Sequence, residues 1–146
     1  MTLLPRAGRL LALDWGEIRI GLAASDETQL LASPLTTVTR RAGKRYPMPA
    51  LLERVTRHDI VGLVVGLPLT PEGEEGDAAR EARMLGELVA GRSGLPVDYW
   101  DERMSTARAL RSIQEQGGST RGRKEDVDAL AAAVLLQGYL DARRTR

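Results

Sequence analysis

The chain has 146 residues, 42 % of them hydrophobic, which suits one globular domain with its own core. It has no Cys and a single His, which excludes a disulfide framework, a thiol nucleophile, a Cys-based zinc site and a paired-histidine ribonuclease mechanism. The net charge of +1 conceals three basic runs, RRAGKR (40–45), RGRK (121–124) and RRTR (143–146). No apolar stretch reaches the ~20 residues of a membrane span, and the start lacks the apolar core of a signal peptide, so a cytoplasmic protein with no membrane anchor is expected.

Residues 9–14 and 18–25 are apolar runs separated by Trp15, Gly16 and Glu17, the pattern of a β-hairpin turning at the glycine. The β-branched stretch SPLTTVTR (33–40) adds a third strand, and Pro47 and Pro49 open a helix running to about Arg57. IVGLVVG (60–66) is continuously apolar, as a strand covered on both faces must be, and helix-rich sequence follows from about Gly76 to Ala90. PVDYW (96–100) repeats the move, with a helix expected over 105–116, a Gly- and Arg-rich loop over 117–124, and a last helix over about 126–143. Three antiparallel strands followed by two strand-helix units and a closing helix make an α/β fold, a five-stranded mixed sheet flanked by helices in a single domain, residues 1–146.

Several acids stand where a core element should be apolar. Asp14 ends the first strand, and burying a carboxylate there is unfavourable without a partner; its bland role is an Asx-type turn ahead of Gly16. Asp101 and Glu102, in WDER, leave the second parallel strand at the edge where open α/β sheets place their sites. Alternation along a strand points only one of the two to a given face, and the pattern does not choose between them; either also suits an ion pair with Arg103. On the last helix, with ~100° per residue, Asp126 falls on the polar stripe, whereas Asp128 lies ~200° round, beside Ala132, Leu135 and Tyr139. Helix capping is the competing role for both. His58, between a helix and a strand, reads as incidental.

The blocks ALDWGEIRIGLAASD, ASPL, VVGLPLTPEGEEGDAA, DERMSTARA and DVDALAAAVLLQGYLD resemble, in order and spacing, the YqgF/RuvX family of Holliday junction resolvases, also described as pre-16S ribosomal RNA nucleases. The resemblance runs from about residue 9 to 141, with Trp15 where the family more often has Tyr or Phe. It implies a ribonuclease H-like fold with sheet order 3-2-1-4-5, strand 2 antiparallel, and the last helix packed over strand one. It also implies a catalytic and metal-binding triad of Asp14, Glu102 and Asp128, choosing Glu102 over Asp101. Carboxylates holding Mg²⁺ or Mn²⁺ suit phosphodiester hydrolysis without a histidine, with Asp14 the expected bridge.

Secondary nucleic-acid contacts are expected from Arg19, from Arg40, Arg41, Lys44 and Arg45, from Arg103, Ser105 and Thr106 beside Glu102, and from Arg121, Arg123 and Lys124. The loop GLPLTPEGEEGDAA offers glycine N–H groups to a phosphate near a helix start, or merely turns the chain. The expected partner is branched DNA or structured RNA. Symmetric cutting of a junction requires two active sites, hence a homodimer, while RNA trimming does not. The rival classes are a non-catalytic nucleic-acid-binding module and an actin- or sugar-kinase-type ATPase, which also opens with DxG but needs two such domains.

Overall fold

Among the described residues, 4–40, 45–104 and 124–144 of a computed structural model, the sheet is built of β1 (Arg9–Asp14), β2 (Arg19–Ser25), β3 (Ala32–Thr39), β4 (Ile60–Leu67) and β5 (Val97–Asp101). Its helices are α1 (Met48–Arg57), α2 (Asp77–Ser93) and α3 (Lys124–Arg144), and a 3-10 turn (Glu102–Met104) leaves β5. The strand order is β3-β2-β1-β4-β5; β2 is antiparallel to β1 and β3, and β4 runs parallel to both β1 and β5. Every expected strand is present to within a residue or two. The helix expected over 105–116 and the loop over 117–123 lie outside the described residues.

Side chains alternate across the sheet, and the apolar pattern sorts them into two cores. Leu11, Leu13, Ile20, Leu22, Leu63 and Val65 pack with Leu51 of α1 and Leu85 and Val89 of α2. Leu10, Ala12, Ala23 and Val64 face the other way, against Ala132, Leu135, Leu136, Tyr139 and Leu140 of α3. β1 and β4 have helices above and below, which is why their sequences are apolar at successive positions.

The helix α3 lies chiefly over β2 and β3, with β1 beneath its near edge, rather than centrally over β1. Glycines explain its seat. A Cβ added at Gly21 would stand 2.1 Å from the carbonyl oxygen of Asp128, and one at Gly66 would stand 2.2 Å from Cδ1 of Leu135. Asp14 pairs directly with Gly21, Gly66 pairs with Trp100, and Leu13 pairs with Val65, so Asp14 lies in the same row as Gly66. One acid thus stands between two glycines, and the helix settles into the hollows they leave.

Gly21→Ala should therefore cost more than an ordinary strand substitution. The obstructing atom is backbone on a packed helix, which cannot rotate away, so a loss of about 3 kcal/mol in urea denaturation is expected. An unchanged denaturation midpoint would show that α3 is not held at this contact.

Candidate active site

Parity carries three acids to one face. Asp14 shares its face with Leu10 and Ala12, the residues beneath α3. In β5 the same face carries Asp98, whose carboxylate accepts a 2.8 Å hydrogen bond from the Tyr139 hydroxyl, and Trp100, whose ring meets that of Tyr139 edge-on at 5.7 Å. Glu102 continues this alternation just past the strand end and is 2 % exposed. Asp14 is 4 % and Asp128 9 % exposed, so three carboxylates are buried at the carboxyl end of the parallel strands, below or on α3.

Asp128 is the fifth residue of α3, beyond the capping positions. Its backbone rests on Gly21 beside Asp14, since directly paired residues of an antiparallel ladder have side chains about 5 Å apart. Its carboxylate accepts a 2.7 Å bond from Nε of Arg19, which opens β2 on the same face. Asp128 thereby has a counter-charge of its own, and the ion pair is sheltered, with the Arg19 side chain 24 % exposed.

The two acids of WDER separate cleanly. Asp101 points away from α3 and takes Arg103 in a bidentate pair, with Nη2–Oδ2 at 2.8 Å and Nε 3.1 Å from both carboxylate oxygens. This partner raises the Arg103 guanidinium above its ordinary pKa. Glu102 turns inward instead. Asp14, Glu102 and Asp128 are a wholly oxygen donor set, the kind that hard divalent cations prefer. Among the described residues no three His, Cys, Asp or Glu side chains form a ready-made cage; Asp128 directs one carboxylate oxygen to Arg19.

The family model for RuvX, described as Holliday junction resolvase, matches residues 8–142. The chain belongs to the RuvX family. Relatives named "Putative pre-16S rRNA nuclease" include one from Anaeromyxobacter sp. (strain Fw109-5), 43 % identical over 92 % of this chain and 98 % of its own, and one from Symbiobacterium thermophilum, 45 % identical over 94 % and 95 %. The RuvC of T. thermophilus, solved in complex with a Holliday junction substrate, superposes with a TM-score of 0.57 at 17 % identity, covering 94 % of this chain and 96 % of that one. That likeness is one of fold, and it is ribonuclease H-like. With the family comes the class of enzyme: a nuclease, a hydrolase of phosphodiester bonds.

The basic residues of this RuvX chain occupy different settings. Arg40 is 6 % exposed: its Nη1 donates to the Gly16 carbonyl at 3.0 Å, and its guanidinium lies over the rings of Trp15 and Tyr46. It braces the turn that follows Asp14, unlike the exposed Arg45. Arg45 and Arg103 are exposed, and Lys124 opens α3. Arg41, Lys44, Ser105, Thr106, Arg121 and Arg123 lie outside the described residues. Arg103 also donates from Nη1 to the Pro71 carbonyl at 3.2 Å and lies against Gly73, whose φ of +86° suits a residue without a Cβ. The β4–α2 loop is thus tied down beside Glu102. Sequence reading gave no structural role to Gly21, Gly66 or Arg40; a lone glycine within a strand is the one signal that marks the first two.

No helix among the described residues is long and apolar enough to cross a membrane. Asp101→Ala should release Arg103 and loosen the β4–α2 loop. Amide hydrogen exchange at Thr70 and Gly73, which bond to Glu74 and Thr70 within the loop, should quicken about tenfold. The melting temperature should barely move, because an exposed ion pair contributes little. Unaltered exchange at both amides would separate the loop from this pair.

Proposed function

We propose that this RuvX-family chain is a divalent-metal-dependent endonuclease that cuts structured nucleic acid, with Asp14, Glu102 and Asp128 as both its catalytic residues and its metal ligands. The observation that carries the reading is the burial of three carboxylates on the α3 face at the carboxyl end of β1 and β5. Burial of ionised carboxylates is costly unless positive charge compensates, and a divalent cation bound among them would supply such charge. Mg²⁺ or Mn²⁺ held there would supply an activated water and stabilise the attacking and leaving oxygens.

The protein's own residues then divide the work. Asp14, central in the sheet, is fixed by the β1–β2 pairing and by the Arg40-braced turn behind it, which suits the ligand common to both neighbouring acids. Glu102 is held by the start of the 3-10 turn and Asp128 by the Gly21 contact. Exposed Arg45 and Arg103, with Arg41, Lys44, Arg121, Arg123, Lys124 and the hydroxyls of Ser105 and Thr106, would hold a phosphate backbone without reading sequence. The names of the 40 %-class relatives favour a precursor of 16S ribosomal RNA as substrate. A branched DNA junction is the second substrate, favoured by the description of the matching family; cutting it symmetrically would require paired copies of the chain. Action in the cytoplasm suits either substrate.

Both substrates should be tested side by side with Mg²⁺ and Mn²⁺. Asp14→Asn, Glu102→Gln and Asp128→Asn should each lower cleavage at least about 1,000-fold while leaving circular dichroism and cooperative melting intact. Cleavage that survives all three substitutions, or cleavage by the wild type in EDTA, would refute the proposed chemistry. Binding without cleavage by the wild type would favour a nucleic-acid-binding module.

A further inference from the structure

Arg19 is placed to do more than neutralise an acid. It contacts Asp128 through Nε alone, at 2.7 Å, and among the described residues its two terminal amino groups make no hydrogen bond. It stands two residues before Gly21 on the same face, hence on the solvent side of Asp14, with a quarter of its side chain open to water. A guanidinium fixed at Nε keeps four N–H donors in a planar fork, the geometry that fits two oxygens of a phosphate. The bond from Asp128 removes much of the rotational freedom such a side chain loses on binding. Asp128, in turn, gives only Oδ2 to the bond.

We propose that Arg19 is a catalytic residue of this site, held by Asp128 at Nε so that Nη1 and Nη2 receive the non-bridging oxygens of the scissile phosphate. Asp128 then serves two purposes, orienting Arg19 with one oxygen and facing the acid cluster with the other. The inference rests on the nuclease reading above, because it takes the phosphate to be bound at the acid cluster. Its competitor is that Arg19 merely occupies the place of a cation and must leave before the site can work.

Two variants of the full chain separate these roles, Arg19→Ala and Arg19→Lys, each measured with a fluorescein-labelled four-way DNA junction and with a fragment of 16S ribosomal RNA precursor. In EDTA, where no cleavage is read, Arg19→Ala should weaken binding and reduce the slope of log K against log salt by about one phosphate contact. At saturating Mn²⁺ its cleavage should fall about 100-fold, as when one donor to a developing charge is lost. Arg19→Lys should recover the salt slope but only part of the cleavage, since an ammonium keeps the charge and not the fork. Unchanged binding and salt slope in Arg19→Ala, with cleavage equal to or above wild type, would overturn the assignment and leave Arg19 a place-holder. A wild type that neither binds nor cuts either nucleic acid would overturn the nuclease reading and this inference together.

Discussion

The contact on which the rest depends is the one between the peptide of Asp128 and Gly21. Two backbones meet there with no side chain between them, the carbonyl oxygen lying where a Cβ would be. Because Gly21 is the ladder partner of Asp14, that contact sets the distance from α3 to the first strand at the very position of the buried acid. The second hollow, Gly66 filled by Leu135, fixes how the helix lies toward β4. A helix seated at two such points cannot slide without meeting the sheet, so a residue near its start is located as firmly as one in a strand.

The two faces of the sheet divide the task of building the site. Helix α3 and the acids occupy one. On the other, Trp15 and Arg40 support the turn after Asp14, with Tyr46 closing the stack and donating its hydroxyl to Glu81 of α2. Asp14 is therefore backed by a rigid turn, and Glu102 follows a residue, Asp101, that is locked to Arg103. The buried carboxylates are held at this edge by the ladder pairing of Asp14 with Gly21, by the packing of α3 on Gly21 and by the Arg19–Asp128 ion pair. Such a site resists collapse into an apolar core, a frequent arrangement where function takes precedence over stability.

Much of this was legible in the sequence, for reasons particular to each element. Alternation and apolar runs marked all five strands, and the helical repeat put Asp128 among Leu135 and Tyr139, on the side the structure buries. The sheet order came from the family resemblance, since short strands of similar composition carry no label of their neighbours. Local pattern did not choose between Asp101 and Glu102, because the choice depends on the 3-10 turn and on the carbonyl of Pro71, more than thirty residues earlier, that holds Arg103. Arg40 looked like one more member of a basic run; only the fold shows two aromatic rings waiting for it. The Arg19–Asp128 pair, 109 residues apart, had no local signature at all.

The proposed cation site joins acids from β1, from the exit of β5 and from α3. Crystals of the protein soaked in Mn²⁺, with anomalous scattering recorded at the manganese edge, test it most directly. The account predicts anomalous density in contact with the carboxylates of Asp14, Glu102 and Asp128, and its loss in the Asp14→Asn protein. Manganese bound only at other surface carboxylates, with these three left untouched at saturating concentration, would contradict it.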